Sequence, residues 1–228
     1  MGSPILMYHK VASPTPGAKI LGHYVKPKAF RRHLRLLNLL GLSSITPGQA
    51  PDGTTSQIAI TFDDGYENFL THALPALEEH RLNATVFVVT ERLGRTDEWD
   101  EGSEPLMTAD QIRECVGRGT QIGSHTATHA KLTHVTLPEA ESEIRRSAEQ
   151  LTALEIGPIS GFCYPYGAES PEIRKLVAQS GYEYACTTQK GQNHAAIDRY
   201  ALRRINVRAD TGVAVLAYKL LRYRRDAN

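Results

Sequence analysis

At 228 residues the chain is long enough for one α/β domain with a sizeable core. Its 41% hydrophobic and 22% charged residues are ordinary for a globular protein, and a formal net charge of +1 gives no reason to expect nucleic acid or a strongly anionic partner. Cys115, Cys163 and Cys186 are too few and too scattered for a disulfide framework or a CxxC metal site. No run of about eighteen apolar residues is present to span a membrane, and the first residues lack the basic-then-apolar pattern of a signal peptide.

In chain order, residues 4–8 read as a short strand ending at His9, followed by a loop rich in Pro, Gly and Ser. Residues 26–40 read as a helix, with Phe30, Leu34, Leu37 and Leu40 near helical spacing. Residues 58–62 form an apolar strand that delivers Asp63 and Asp64 at its C-terminal end. A helix over 66–80 and a buried strand over 84–90 follow. A long acidic connection carrying Trp99 leads to a helix at 108–118, and the strand 120–124 delivers His125. Helix 137–154, strand 160–164, helix 171–180, strands 182–186 and 200–205 and a closing helix 213–223 complete the chain. Short apolar runs alternating with amphipathic stretches predict repeated βα units. Strand ends that carry polar motifs point to a barrel whose C-terminal rim holds the site. A doubly wound open sheet is the alternative, although no GxGxxG follows the first strand.

Thr61-Phe62-Asp63-Asp64-Gly65 and Ser124-His125-Thr126-Ala127-Thr128-His129 carry the chemistry. Alone, Asp-Asp-Gly is good turn chemistry. An apolar strand running straight into two acids lets one bind a metal while its neighbour faces water. On a helical turn, His125 and His129 would share a face and converge on one ion. One Asp and two His make a ligand set that suits Zn²⁺ and keeps positions open, with Co²⁺ or Ni²⁺ also able to bind. His9, after the first strand, reads as a structural histidine or, on the same rim, as a proton donor to a leaving group. His72, His80, His134 and His194 compete with it. The turn Tyr164-Pro165-Tyr166-Gly167 offers backbone N–H groups to an oxyanion, and Cys163 reads as core rather than nucleophile. Tyr24, Trp99, Tyr164, Tyr166 and Tyr182 are candidates to stack on sugar rings or to fill the core. The basic end of the closing helix reads as solvated structure.

Together these segments resemble the polysaccharide deacetylases of carbohydrate esterase family 4, with the NodB-type domain. Thr61–Gly65 matches the first motif of that family, Ser124–His129 its second, and Tyr164-Pro165-Tyr166-Gly167 the end of its third. The resemblance implies a distorted (β/α) barrel of about seven parallel strands, forming one catalytic domain over residues 1–228. It implies metal-dependent removal of N-acetyl groups from N-acetylglucosamine-containing polysaccharide, outside the cell or at its envelope. By position it makes Asp63 the base, Asp64, His125 and His129 the ligands of one divalent ion, and the Tyr166 backbone an oxyanion contact. Ile5-Leu6-Met7-Tyr8-His9-Lys10-Val11 resembles the subgroup with permuted motif order that includes poly-N-acetylglucosamine deacetylases, and makes His9 the acid. Where many members place an Arg beside the base this chain has Cys163, and Arg204 is the candidate to replace it. O-acetyl ester hydrolysis on a glycan, and a non-catalytic glycan-binding domain, are the rival readings.

Overall fold

The computed structural model describes residues 2–100 and 104–225. Its elements run β1 (Ile5–Tyr8), α1 (Pro27–Leu39), β2 (Ser43–Ile45), β3 (Gln57–Phe62), α2 (Leu74–Glu79), β4 (Thr85–Val88), α3 (Ala109–Gly117), β5 (Gln121–Ser124), α4 (Leu137–Thr152), β6 (Gly161–Cys163), α5 (Pro171–Gln179), β7 (Tyr184–Cys186), β8 (Ile205–Asn206) and α6 (Val213–Arg225). The strands lie side by side in the order β7-β6-β5-β4-β3-β1-β8, and β2 pairs with the first half of β3. Every pairing between these strands is parallel. The sheet curls into a distorted (β/α) barrel of a single domain.

Parallel strands covered on both faces must be apolar along their whole length, and Ile58-Ala59-Ile60-Thr61-Phe62 of β3 is buried throughout. The helices supply the outer cover. α1 starts at Pro27, whose missing N–H costs nothing at a first helical position, and buries Phe30, His33, Leu34 and Leu37 along one stripe. α3 starts at a reciprocal cap: Gln111 N donates to Thr108 Oγ1 (3.2 Å) and Thr108 N to Gln111 Oε1 (2.8 Å). Such a cap contributes about 1 kcal/mol.

Register places the strand ends. Tyr8 is level with Phe62, so His9 and Asp63 leave adjacent strands at the same height. Val88 is level with Ser124, so His125 leaves β5 on the same rim.

Three elements differ from the sequence expectation. The segment 66–80 is not one α-helix; a π-turn at Phe69–Ala73 precedes α2. Pro75 has no N–H to give the carbonyl of Thr71, which interrupts the regular ladder. β2 was not anticipated, because Ser43-Ser44-Ile45 has no apolar run and is recruited by β3. The strand expected at 200–205 is instead a crossing segment. Leu202 bonds to β7 (Leu202 N to Ala185 O, 2.9 Å; Thr187 N to Leu202 O, 2.8 Å), whereas Ile205 and Asn206 pair with β1. The chain thus passes from one edge of the curled sheet to the other.

Candidate active site

β3 ends at Phe62, and the next two carboxylates diverge because Asp64 takes a left-handed backbone conformation (φ 76°). Thr126, His129 and Tyr166 also have positive φ (67°, 68° and 59°). Strained non-glycine backbone of this kind persists only where its surroundings impose it, and it gathers at functional sites. The expected helical turn between His125 and His129 is absent; they converge through an irregular turn instead. His129 N donates to Thr126 Oγ1 (3.0 Å), while Glu143 on α4 accepts from Thr128 N (2.8 Å) and Thr128 Oγ1 (3.1 Å). The loop is folded by its threonines and braced from outside by a carboxylate.

The two imidazoles close on one oxygen. Nε2 of His125 and Nε2 of His129 each lie 3.3 Å from Asp64 Oδ1. His125 Nδ1–H donates to the Cys163 carbonyl (2.7 Å), which directs Nε2 inward; His129 Nδ1 meets the Tyr166 hydroxyl (3.2 Å). Burial raises the Asp64 carboxyl, but hydrogen bonds from both histidines hold it well below the usual carboxylate range. Asp64, His125 and His129 bring one oxygen and two nitrogens within 4.8 Å of one another. This donor set, with each ring held by its far nitrogen, fits a divalent ion of the Zn²⁺ type. A second grouping, Asp63–His125–Cys163, fits less well, because the guanidinium of Arg204 already engages Asp63 and Cys163.

Arg204 reaches this point from the crossing segment, fully buried. Nη1 donates to Asp63 Oδ1 (2.6 Å) and Thr61 Oγ1 (3.1 Å), Nη2 to Asp63 Oδ2 (2.7 Å), and Nε to the Thr187 carbonyl (2.8 Å). Its Nη2 also lies 3.1 Å from Cys163 Sγ. Burial pushes the Asp63 carboxyl up, and the two-pronged contact with Arg204 more than reverses this, leaving it below the ordinary value. Burial pushes the Cys163 thiol up to about 11, so it is protonated at neutral pH and a poor nucleophile.

His9 Nε2 stands 4.0 Å from Asp63 Oδ2, the oxygen that also accepts from Arg204 Nη2. Its ring stacks on His23 with centroids 3.9 Å apart at 11°. Burial and the nearby His23 push His9 down to about 3, so the ring is neutral at rest. Tyr166 is 55% exposed, with its ring edge-on to His129 at 4.8 Å. Trp99 stacks on the other ligand-type ring face, 4.0 Å from the centroid of His129 at 20°. The structure therefore brings Asp63, Asp64, His125, His129, His9, Arg204 and Tyr166 to one place. The competing histidines His72, His134 and His194 are exposed elsewhere on the surface. His23 and the buried Lys10 escaped the sequence reading. His23 lies in a loop without periodicity, whereas a lysine inside the apolar run that opens the chain was a visible anomaly. A cavity of about 490 Å³ on the barrel flank, lined by Lys190, Arg204, Asn206, Tyr218, Lys219 and Tyr223 among others, contains none of the carboxylates or imidazoles.

With this geometry in hand, three comparisons place the chain among known proteins. It is 29% identical over 211 residues to YxkH of Bacillus subtilis (strain 168), covering 90% of this chain and 71% of that one. It is 25% identical over 160 residues to a poly-beta-1,6-N-acetyl-D-glucosamine N-deacetylase of Staphylococcus epidermidis, over 66% of this chain and 54% of that one. Its fold is similar to that of the Streptococcus pyogenes deacetylase PplD in complex with acetate, with a TM-score of 0.85, 24% identity and coverage of 96% and 98%. Residues 50–185, more than half of the chain, match the family model for polysaccharide deacetylase, and the chain belongs to that family.

Proposed function

We propose that residues 1–228 form one catalytic domain that removes N-acetyl groups from N-acetylglucosamine-containing polysaccharide of the envelope or cell exterior, releasing acetate. The observation that carries this reading is Asp63, gripped by Arg204 through both oxygens, beside Asp64, His125 and His129 and 4.0 Å from His9. A binding module has no use for a clamped carboxylate next to a metal-type ligand set. The Staphylococcus relative acts on an N-acetylglucosamine polymer, which supports the substrate class, and the position of His9 ahead of the two motifs supports the permuted order.

A divalent ion held by Asp64, His125 and His129 would polarise the acetamide carbonyl and make water acidic enough to ionise near neutral pH. Asp63 takes one proton from the attacking water as its oxygen bonds to the carbonyl carbon, and Arg204 fixes the plane of the carboxylate for that transfer. The backbone N–H of Tyr166 donates to the oxyanion that develops. When the C–N bond breaks, the amine nitrogen needs a proton. His9, neutral at rest, receives the proton collected at Asp63 and hands it to that nitrogen, so one water yields acetate and a free amino sugar.

The test is acetate release from N-acetylglucosamine oligomers by the purified protein, before and after chelation and with Zn²⁺, Co²⁺ or Ni²⁺ returned. Acetate that vanishes with chelator, returns with metal and falls in His9→Ala is expected. Turnover of O-acetyl esters alone by the metal-loaded protein refutes the amide reading.

A further inference from the structure

Lys10 is the one residue of the opening segment that carries a charge and has no part in the chemistry above. Its side chain is completely buried, a costly place for an ammonium unless it is paired. The ammonium sits 4.6 Å from the ring centroid of Tyr24 and 4.5 Å from that of Tyr66, 3.3 Å from Asp97 Oδ2, and in hydrogen-bond contact with Asp100 Oδ2. Both carboxylates are fixed in turn. Tyr66 Oη donates to Asp97 Oδ2 (2.9 Å), Glu104 N to Asp97 Oδ1 (3.2 Å) and Ile20 N to Asp100 Oδ1 (3.3 Å). Burial alone would drive the proton off Lys10, but Asp100 and Asp97 raise its pKa above the ordinary value, so the cation persists.

Asp97 and Asp100 bracket Trp99, the residue stacked on His129. The backbone of Lys10 grips the other side of the site. Its N–H donates to the His23 carbonyl (3.1 Å) and its own carbonyl accepts from Val25 N (2.9 Å), while His23 carries the ring on which His9 stacks. A buried ion pair is weak evidence for stability, since apolar residues of the same volume often do as well. Its retention here fits a different task, holding a turn in one place. We propose that Lys10 is a positioning residue whose ammonium locks the 97–100 turn so that Trp99 braces the ring of His129 while the same residue's backbone seats the His9–His23 stack. The catalytic consequence rests on the deacetylase reading; the position of Trp99 does not.

Trp99 is the single tryptophan of the chain, so its emission reports on this turn alone. The variants are Lys10→Met, which removes the charge at similar volume, and Asp100→Asn, which weakens the pair without stranding a carboxylate. Both are measured as zinc-loaded protein by Trp emission, acrylamide quenching, and kcat and KM on N-acetylglucosamine oligomers, with far-UV circular dichroism as the folding control. The expected result is red-shifted emission, severalfold stronger quenching, and kcat/KM lower by about tenfold to a hundredfold, the scale of a small misplacement of reacting groups. Folded variants with wild-type emission, quenching and kcat/KM overturn the proposal. Altered emission with unaltered turnover overturns its catalytic half. If Lys10→Met does not fold, Asp100→Asn decides. If the wild-type protein releases no acetate, the deacetylase reading falls, and the emission still decides the lock.

Discussion

Replacing Arg204 by methionine removes a cation whose every nitrogen is engaged: both prongs on Asp63, with further contacts to Thr61, Cys163 and the Thr187 carbonyl. Methionine fills much of the stem's volume but leaves Asp63, only 3% exposed, as an uncompensated buried charge. Breaking one side of a buried pair costs about 3–5 kcal/mol. Against a total stability of about 5–15 kcal/mol this is a large share. A chain of this length loses roughly 2–4 °C of melting temperature per kcal/mol, so the expected drop is on the order of 6–20 °C. Asp63→Asn alone strands the guanidinium in the same way, whereas Arg204→Met with Asp63→Asn leaves no ionised group behind. The double variant is therefore more stable than the sum of the two losses predicts, by about 1–3 kcal/mol. Arg204→Lys falls between, because one ammonium cannot span both carboxylate oxygens. Urea unfolding followed by circular dichroism on all four members of the cycle gives these numbers. An additive cycle, or a loss below about 1 kcal/mol for Arg204→Met, refutes the claim that this contact holds the buried carboxylate in place.

Other consequences follow from particular contacts. His33 is buried, with Nε2 donating to the Thr211 carbonyl (2.8 Å), which can only accept, and Nδ1 3.2 Å from the Tyr8 hydroxyl, and burial favours its neutral form. Burial lowers its pKa, and the unfolded chain alone takes up a proton just below about pH 6.5. Its stabilising contribution is thus complete above about 6.5 and is lost as pH falls toward the folded value, at up to about 1.4 kcal/mol per pH unit. Urea midpoints should fall less steeply with acid in His33→Gln than in the parent, and equal slopes would contradict this. Tyr166→Phe removes the hydroxyl beside His129 Nδ1 and should weaken zinc binding about tenfold or more in a chelator competition; unchanged affinity would show that the ring is held without it. Gly65→Ala forces a Cβ into a left-handed conformation (φ +81°) and to 2.9 Å from Val88 Cγ1. The expected loss is about 1–3 kcal/mol in urea unfolding, and a neutral result would mean that the turn after Asp64 can relax.

Much of the fold was legible because parallel strands announce themselves as short, wholly apolar runs. Ile58–Phe62 and Ala84–Thr90 needed no tertiary information. β2 was invisible because Ser43-Ser44-Ile45 becomes a strand only through its partner β3. The crossing from Leu202 to Ile205 read as one strand, since sequence cannot tell a segment that pairs along one edge from one that changes edges. In the site, the residue types of Asp63, Asp64, His125 and His129 were readable, but their convergence was not. Positive φ at Asp64, Thr126 and His129 defies local propensity and is imposed by packing such as the Glu143 brace. Lys10 and His23 gain meaning only from what they touch.

The family match spans residues 50–185, yet His9, Lys10 and Arg204 all lie outside it. Parallel topology explains why a site can draw on both ends of the chain. β1 sits between β3 and β8, with Leu6 level with both Ile60 and Ile205. The first strand is therefore not an edge appendage but the neighbour of the strand that carries the two aspartates. A chain cut to the matched span would lose the imidazole facing Asp63 and the guanidinium that holds it. It would also expose the buried flank of β3 and strip α1, with Phe30, Leu34 and Leu37, from the core. Asp64, His125 and His129 would keep their sequence positions, but the Asp63 carboxylate beside them would be neither clamped by a guanidinium nor faced by an imidazole. On the proposed reading, metal binding and hydrolysis are separable in this fold: the central βα units would supply the ligands, and the two chain ends, meeting at β1 and β8, would supply the groups that hold the base and carry the proton.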